Sequence, residues 1–285
     1  MGYTKPTTIT EVDLSNAELP LHGKTYTVIP HRSIIDHTEN LLRENSFNIK
    51  KKTFKSNVGA KVAQGIYQIM STQDPDLGMM FAWTNSYDKS TRFQCGIGAY
   101  VFVCNNGMIH GDMATFARKH TGSADIEVQN QISSQVKYAR KHFGQLIKDK
   151  DQFKAHYLSM KEQAELLGRL FAEEEILDAT QISCVKKEMK KPSYDYKCDL
   201  SNAWTFYNHV THSLKLSHPR SWMTDQQKFH KFMTTELLSQ VNLHNHDYTS
   251  LKIDIPEDRV YQGDVSQITA DLEAQDFDTF GDFKI

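Results

Sequence analysis

At 285 residues, 39% apolar and 24% charged with a formal net charge of −2, the chain has an ordinary globular composition and enough length for one substantial core or two smaller ones. No apolar run approaches the roughly 18–20 residues of a membrane span, and Met1–Pro20 lacks the basic-then-apolar order of a signal peptide. A soluble protein made and used in the host cell cytoplasm is expected, and the near-neutral charge argues against phosphate binding as its dominant property.

The first 120 residues predict an α+β unit with a mostly antiparallel sheet. A strand at Tyr26–Ile29 leads into a helix capped by Ser33, with Asp36 at the capping-box position and Ile34, Ile35, Leu41 and Leu42 on one face. Strands follow near residues 48–54, 60–71, 79–84 and 92–104. In the last, Ile97, Ala99, Val101 and Val103 alternate with Gly98, Tyr100, Phe102 and Cys104, so both faces are apolar, as in a sheet interior. Asn85–Asp88 reads as the turn before it, and Asn105–Gly107 after it tolerates positive φ. Lys50, Lys51 and Lys52 read as a guard against edge-to-edge pairing, with phosphate contact as the alternative.

Residues 121–180 carry a heptad-like seam. Ile132, Val136, Ala139, Phe143 and Leu146 recur at spacings of four and three, and the phase resumes at Phe153, Tyr157, Met160, Ala164, Leu167 and Phe171. One helix over 125–178 would reach roughly 80 Å. The seam therefore predicts a long arm gripping a second copy or a partner, or else a hairpin bent near Lys148–Asp151.

Residues 181–253 begin with a strand or loop whose Lys186, Lys187, Lys190 and Lys191 neighbour Tyr194 and Tyr196, a pattern suited to a partner surface or to nucleic acid. Helices are predicted over 202–216 and 224–243, the second capped by Thr224 with Gln227. The last segment, 254–285, holds nine acidic residues against Arg259 and Lys284, a net of −7 that leaves the first 253 residues at +5. There Asp276, Phe277, Asp278, Phe280, Asp282 and Phe283 combine charge with apolar anchors, able to occupy a basic groove on a partner or on the chain itself.

Two of these stretches carry a resemblance. Asn85, Ser86, Asp88 and Ser90, followed by the strand and by Cys104, Asn106 and Gly107, resemble the phage/plasmid-like family of unassigned function. The run from Asn202 through Asn208 to His212 is similar to a second segment of that family. The resemblance implies a mobile-element origin and transfers no catalytic residue.

No strong catalytic pattern stands out. His209 and His212 at i, i+3, with His218, His230, His244 or His246, form the nearest approach to a metal set, and His110 with Asp112 to a base and its orienter. Gly96 and Gly98 lack the third glycine of a dinucleotide fingerprint. Cys95, Cys104, Cys184 and Cys198 form no CxxC and read as free thiols. No catalytic, cofactor-binding or metal-ligating residue is assigned. The reading puts first a non-enzymatic phage interaction protein, a counter-defence inhibitor that oligomerises through its arm and blocks the DNA-binding surface of a host nuclease complex, for example of the Gabija type. Second stands a single-stranded nucleic-acid binding or annealing protein of phage replication or recombination.

Overall fold

The computed structural model describes residues 7–21, 26–109, 115–196, 199 and 201–238, of which 115–118 by backbone alone. All belong to one compact unit, Met1–Val241. Seven strands form one antiparallel sheet, six strands across: β1 Thr7–Ile9, β2 Ile49–Ser56, β3 Val62–Ile69, β4 Leu77–Ser86, β5 Phe93–Val101, β6 Gly107–Ile109 and β7 Thr115–Arg118. The strands lie side by side in chain order. β6 and β7 divide the outer edge of β5, β6 against Gly98–Tyr100 and β7 against Phe93–Gly96.

Both faces of the sheet are covered, which is why β4 is buried at all ten positions. On one face Phe54, Tyr67, Phe81, Trp83, Phe93 and Ile97 pack with three helices, α2 His31–Glu44, α3 Ala124–Lys137 and α4 Ala139–Ala155; a short helix, α1 Glu11–Ser15, adds Leu14. On the other face Met80, Ala82, Tyr100 and Ile109 meet Trp222 and Met223, which open helix α8, Trp222–Met233.

Two glycines make the pleat possible. Gly65 lies directly opposite Trp83, and a Cβ there would come within 2.4 Å of the indole; Gly78 lies opposite Tyr100, where the clash would be 2.3 Å. Each aromatic ring occupies the space its cross-strand partner leaves empty.

The long arm is absent among the described residues. The chain breaks at Tyr138 and again at residues 156–159, after which α5 runs Met160–Ala172 and α6 Ala179–Lys190. Leu158 donates its N–H to the Ser201 carbonyl and Ala203 to that of His156, so the second break is tied to the start of α7, Ala203–Ser213. Ser159 then caps α5 in a reciprocal box with Glu162. Ile132, Val136, Ala139, Phe143, Leu146 and Phe153 are all buried in the chain's own core. The sheet, with α7 and α8 at Phe153, covers that half of the seam.

The charged run proposed as a bend lies inside α4. Lys150, 2% exposed, reaches Asp74 of the β3–β4 connection at 2.5 Å, and Asp149 accepts from His230 of α8 at 3.0 Å. Three smaller expectations also shift. Residues 27–30 form no strand, α2 starts at His31 rather than behind a Ser33 cap, and α8 starts at Trp222 rather than behind Thr224. The segment read as strand or loop from Thr180 is the helix α6, started by an Asp178–Gln181 capping box.

Candidate functional site

The turn between β4 and β5 is built by the Asn85–Ser90 motif. Ser86 Oγ donates to the Thr91 carbonyl at 2.9 Å and accepts the Thr91 N–H at 3.2 Å, while Asp88 accepts the Ser90 N–H at 2.9 Å. Lys89 sits at the tip with φ 63°, a left-handed conformation held by these bonds. Asn85 faces inward and donates to the Ile29 carbonyl at 2.8 Å and to His31 Nδ1 at 3.0 Å.

This fixes the state of His31. Its Nε2 lies 3.0 Å from the Ala60 carbonyl and must donate, so Nδ1 carries the lone pair that Asn85 meets. Burial holds the ring neutral, its pKa pushed down to about 4. The His31 N–H, first of α2, donates to Tyr87 Oη at 2.7 Å, and that hydroxyl does the work expected of a cap at Ser33.

Outside this buried layer lies a cleft of about 400 Å³ lined by Tyr26, Lys89, Arg92, Lys119 and His120, with Ser90, Thr91 and Thr121 completing the wall. Tyr26 Oη lies 3.1 Å from the Ser86 carbonyl, to which it donates, so it accepts from His120 Nδ1 at 3.2 Å. His120 is 6% exposed, and its Nε2 has no hydrogen-bond partner among the described residues. Burial depresses its pKa, and it raises that of Tyr26 to about 12. Lys89 Nζ stands 4.8 Å from the Tyr26 ring centroid. The lining contains three cations and no carboxylate, and none of the three is ion-paired to a described residue. Its chemistry is that of an anion site backed by an aromatic ring.

The other family-like residues meet elsewhere. Asn106 donates to the Asn208 carbonyl at 2.9 Å and Cys104 lies 3.7 Å from Asn208 Oδ1, so the turn after β5 is stitched to α7. Next to it Tyr196 is buried against His209, with ring centroids 5.9 Å apart, and half-buried Tyr194 meets His212 at 5.8 Å. Glu188 accepts from Ser193 Oγ at 2.5 Å and lies 3.8 Å from His212 Nε2. Burial lowers the pKa of His209 to about 4.

Of the sequence-predicted partner residues, Lys186, Lys187, Lys190 and Lys191 are exposed on or just after α6, while the two tyrosines turn inward to the α7 cluster. Asp276, Phe277, Asp278, Phe280, Asp282 and Phe283 lie outside the described residues, as do His110, Asp112, His244, His246 and Cys198. Lys52 is held by Glu11 at 2.6 Å and Glu39 at 2.9 Å. His230 is locked between Asp149 and the Tyr207 hydroxyl. Cys95, Cys104 and Cys184 are free, with burial pushing each thiol pKa up. Among the described residues no group of three His, Cys, Asp or Glu is arranged to hold a metal, and no helix is long and apolar enough to cross a membrane.

The cleft escaped the sequence reading because Tyr26, the 89–92 turn and Lys119 are far apart in the chain. The only local signal was the turn motif itself. A family model described as a domain of unknown function, DUF932, matches residues 18–236, a span that takes in both the cleft and the α7 cluster. No curated protein and no solved structure matches the chain.

Proposed function

We propose that this chain, which belongs to the DUF932 family of unknown function, is a non-enzymatic single-stranded nucleic-acid-binding protein of phage or plasmid replication or recombination, with the cleft at the β4–β5 turn as a phosphate contact. One observation carries the reading: Lys89, Arg92 and Lys119 converge on one concave, carboxylate-free wall beside Tyr26. Unpaired cations in a groove attract a polyanion through release of its counterions, and a neighbouring aromatic ring adds affinity without demanding a sequence. A cleft of about 400 Å³ takes a nucleotide unit rather than the side of a duplex.

The counter-defence reading drew most of its weight from an arm that needed a partner. With that arm broken and half of its seam buried, the reading stands on the acidic aromatic end and on the mobile-element resemblance, which the nucleic-acid reading shares, and we place it second.

Titrating labelled single-stranded oligonucleotides with the full chain, by fluorescence anisotropy across a salt series, tests the proposal. Affinity that falls steeply with salt and drops on replacing Lys89, Arg92 and Lys119 is the expected result. Absence of binding at low salt would sink it, and recovery of a host nuclease complex by the same full chain would restore the inhibitor to first place.

A further inference from the structure

Apart from Leu167, the second half of the heptad seam is left uncovered. On α5 the buried face is Gln163, Leu166, Leu167 and Leu170. Next to it runs an exposed stripe: Met160 is 67% exposed, Phe171 is 48% exposed, and between them lie exposed Ala164 and Gly168. A Cβ added at Gly168 would meet nothing within 4 Å, so the middle of the stripe is open and shallow. Tyr157, 67% exposed, lies just before the helix. A surface helix ordinarily shows one apolar face and one polar face. This one shows a buried apolar face and an exposed apolar stripe beside it.

We propose that α5 is a self-association face, pairing with α5 of a second copy in antiparallel orientation about a two-fold axis. The order large, small, small, large of Met160, Ala164, Gly168 and Phe171 reads alike from both ends, as an isologous contact requires. Rotation about an axis between Ala164 and Gly168 sets small residues against small ones, which lets the two backbones approach. It also carries each Met160 towards the partner helix's C-terminal end, where Phe171 stands.

Charge selects the same orientation. Lys161 flanks the stripe at the N-terminal end of α5, and Glu174 and Glu175 follow its C-terminal end, beyond Glu173, which is paired with Arg169 at 2.9 Å. An antiparallel pair brings each Lys161 towards the partner's Glu174 and Glu175 and opposes the helix dipoles; a parallel pair would bring those four carboxylates together. The exposed apolar surface is on the order of 300 Å² per copy, well under the ~800 Å² per partner of a standard interface. The pairing is therefore weak and concentration-dependent.

Sedimentation velocity of the full chain, from low-micromolar to several-hundred-micromolar concentration, reads the association. The expected result is a reversible shift from monomer to dimer that Gly168→Glu abolishes, with the far-ultraviolet spectrum and thermal midpoint of that variant showing that it still folds. For orientation, a mixture of Ala164→Cys and Gly168→Cys chains under mild oxidation is expected to give mainly the mixed disulfide. A monomer at every concentration overturns the proposal, as does a dimer that Gly168→Glu leaves intact or one in which each cysteine variant prefers its own kind.

Discussion

The His31 ring lies flat on the Tyr87 ring, with centroids 3.9 Å apart and planes 12° from parallel, while the His31 N–H donates to the same tyrosine's hydroxyl. One tyrosine thus both stacks on the histidine and starts its helix. The arrangement requires a neutral imidazole, since Nδ1 has to accept from Asn85.

That requirement ties stability to pH. Burial lowers the His31 pKa from 6.5 to about 4, and that of His209 to about 4 as well. Between these limits the unfolded chain binds more protons than the folded one, so stability rises with pH across the window. The contribution is fully present above about pH 6.5 and is lost as pH falls through 4, with an upper bound of roughly 3 kcal/mol for each ring. Urea unfolding at several pH values checks it; a flat unfolding free energy between pH 6.5 and 4 would contradict the neutral rings.

Replacing Asn85 with Ala strands two buried acceptors, the Ile29 carbonyl and His31 Nδ1. The cost of each stranded group is about 1–3 kcal/mol. Thermal unfolding of the Asn85→Ala chain should therefore show a midpoint several degrees lower, with the far-ultraviolet spectrum retained at low temperature.

Gly65→Ala and Gly78→Ala drive a methyl into Trp83 and Tyr100, and overpacking of this kind costs about 1–3 kcal/mol. Gly144 in α4 has no neighbour within 4 Å of its would-be Cβ, so Gly144→Ala should stabilise the chain by about 0.5–1 kcal/mol. Opposite signs in a single set of melting curves would distinguish close packing from simple helix propensity.

For the cleft, each cation that contacts a phosphate adds about 0.7 to the salt slope of single-strand binding. Replacing Lys89, Arg92 and Lys119 together should flatten the log–log plot by about two units and leave the thermal midpoint within a few degrees, because all three side chains are exposed. An unchanged slope would remove these residues from the contact.

Lys150→Ala leaves Asp74 as a carboxylate only 4% exposed at its side chain, without its closest cation. Breaking a buried pair from one side costs about 3–5 kcal/mol. Chemical denaturation should show that loss, and Asp74→Ala should show a comparable one.

Much of the sheet was legible because strands announce themselves locally. The alternation in β5 and the turn residues on either side of it place that strand within a few residues of its observed bounds. Helices α7 and α8 were legible near their observed places, but α3, α4 and α5 were not legible as separate units, because the apolar phase of α3 and α4 continues into α5 and periodicity alone does not register a break. The breaks are marked instead by two capping boxes that the reading of the sequence passed over, Ser159 with Glu162 and Asp178 with Gln181, each at a fresh helix start. The cleft is of another kind, since its cations come together only once the meander brings residues 26, 89–92 and 119 to one end of the sheet. No local pattern encodes such a meeting.

The chain-order pairing of β1 through β6 also bears on how the protein reaches its native state. From β2 to β6 each step of the ladder closes a short loop, so the entropy lost in bringing partners together stays small and contacts of low sequence separation favour rapid assembly, whereas β1 joins β2 only across α1 and α2. The β3–β4–β5 meander, with its two ring-over-glycine pairs, is suited to form as a nucleus onto which α3, α4 and α8 later condense.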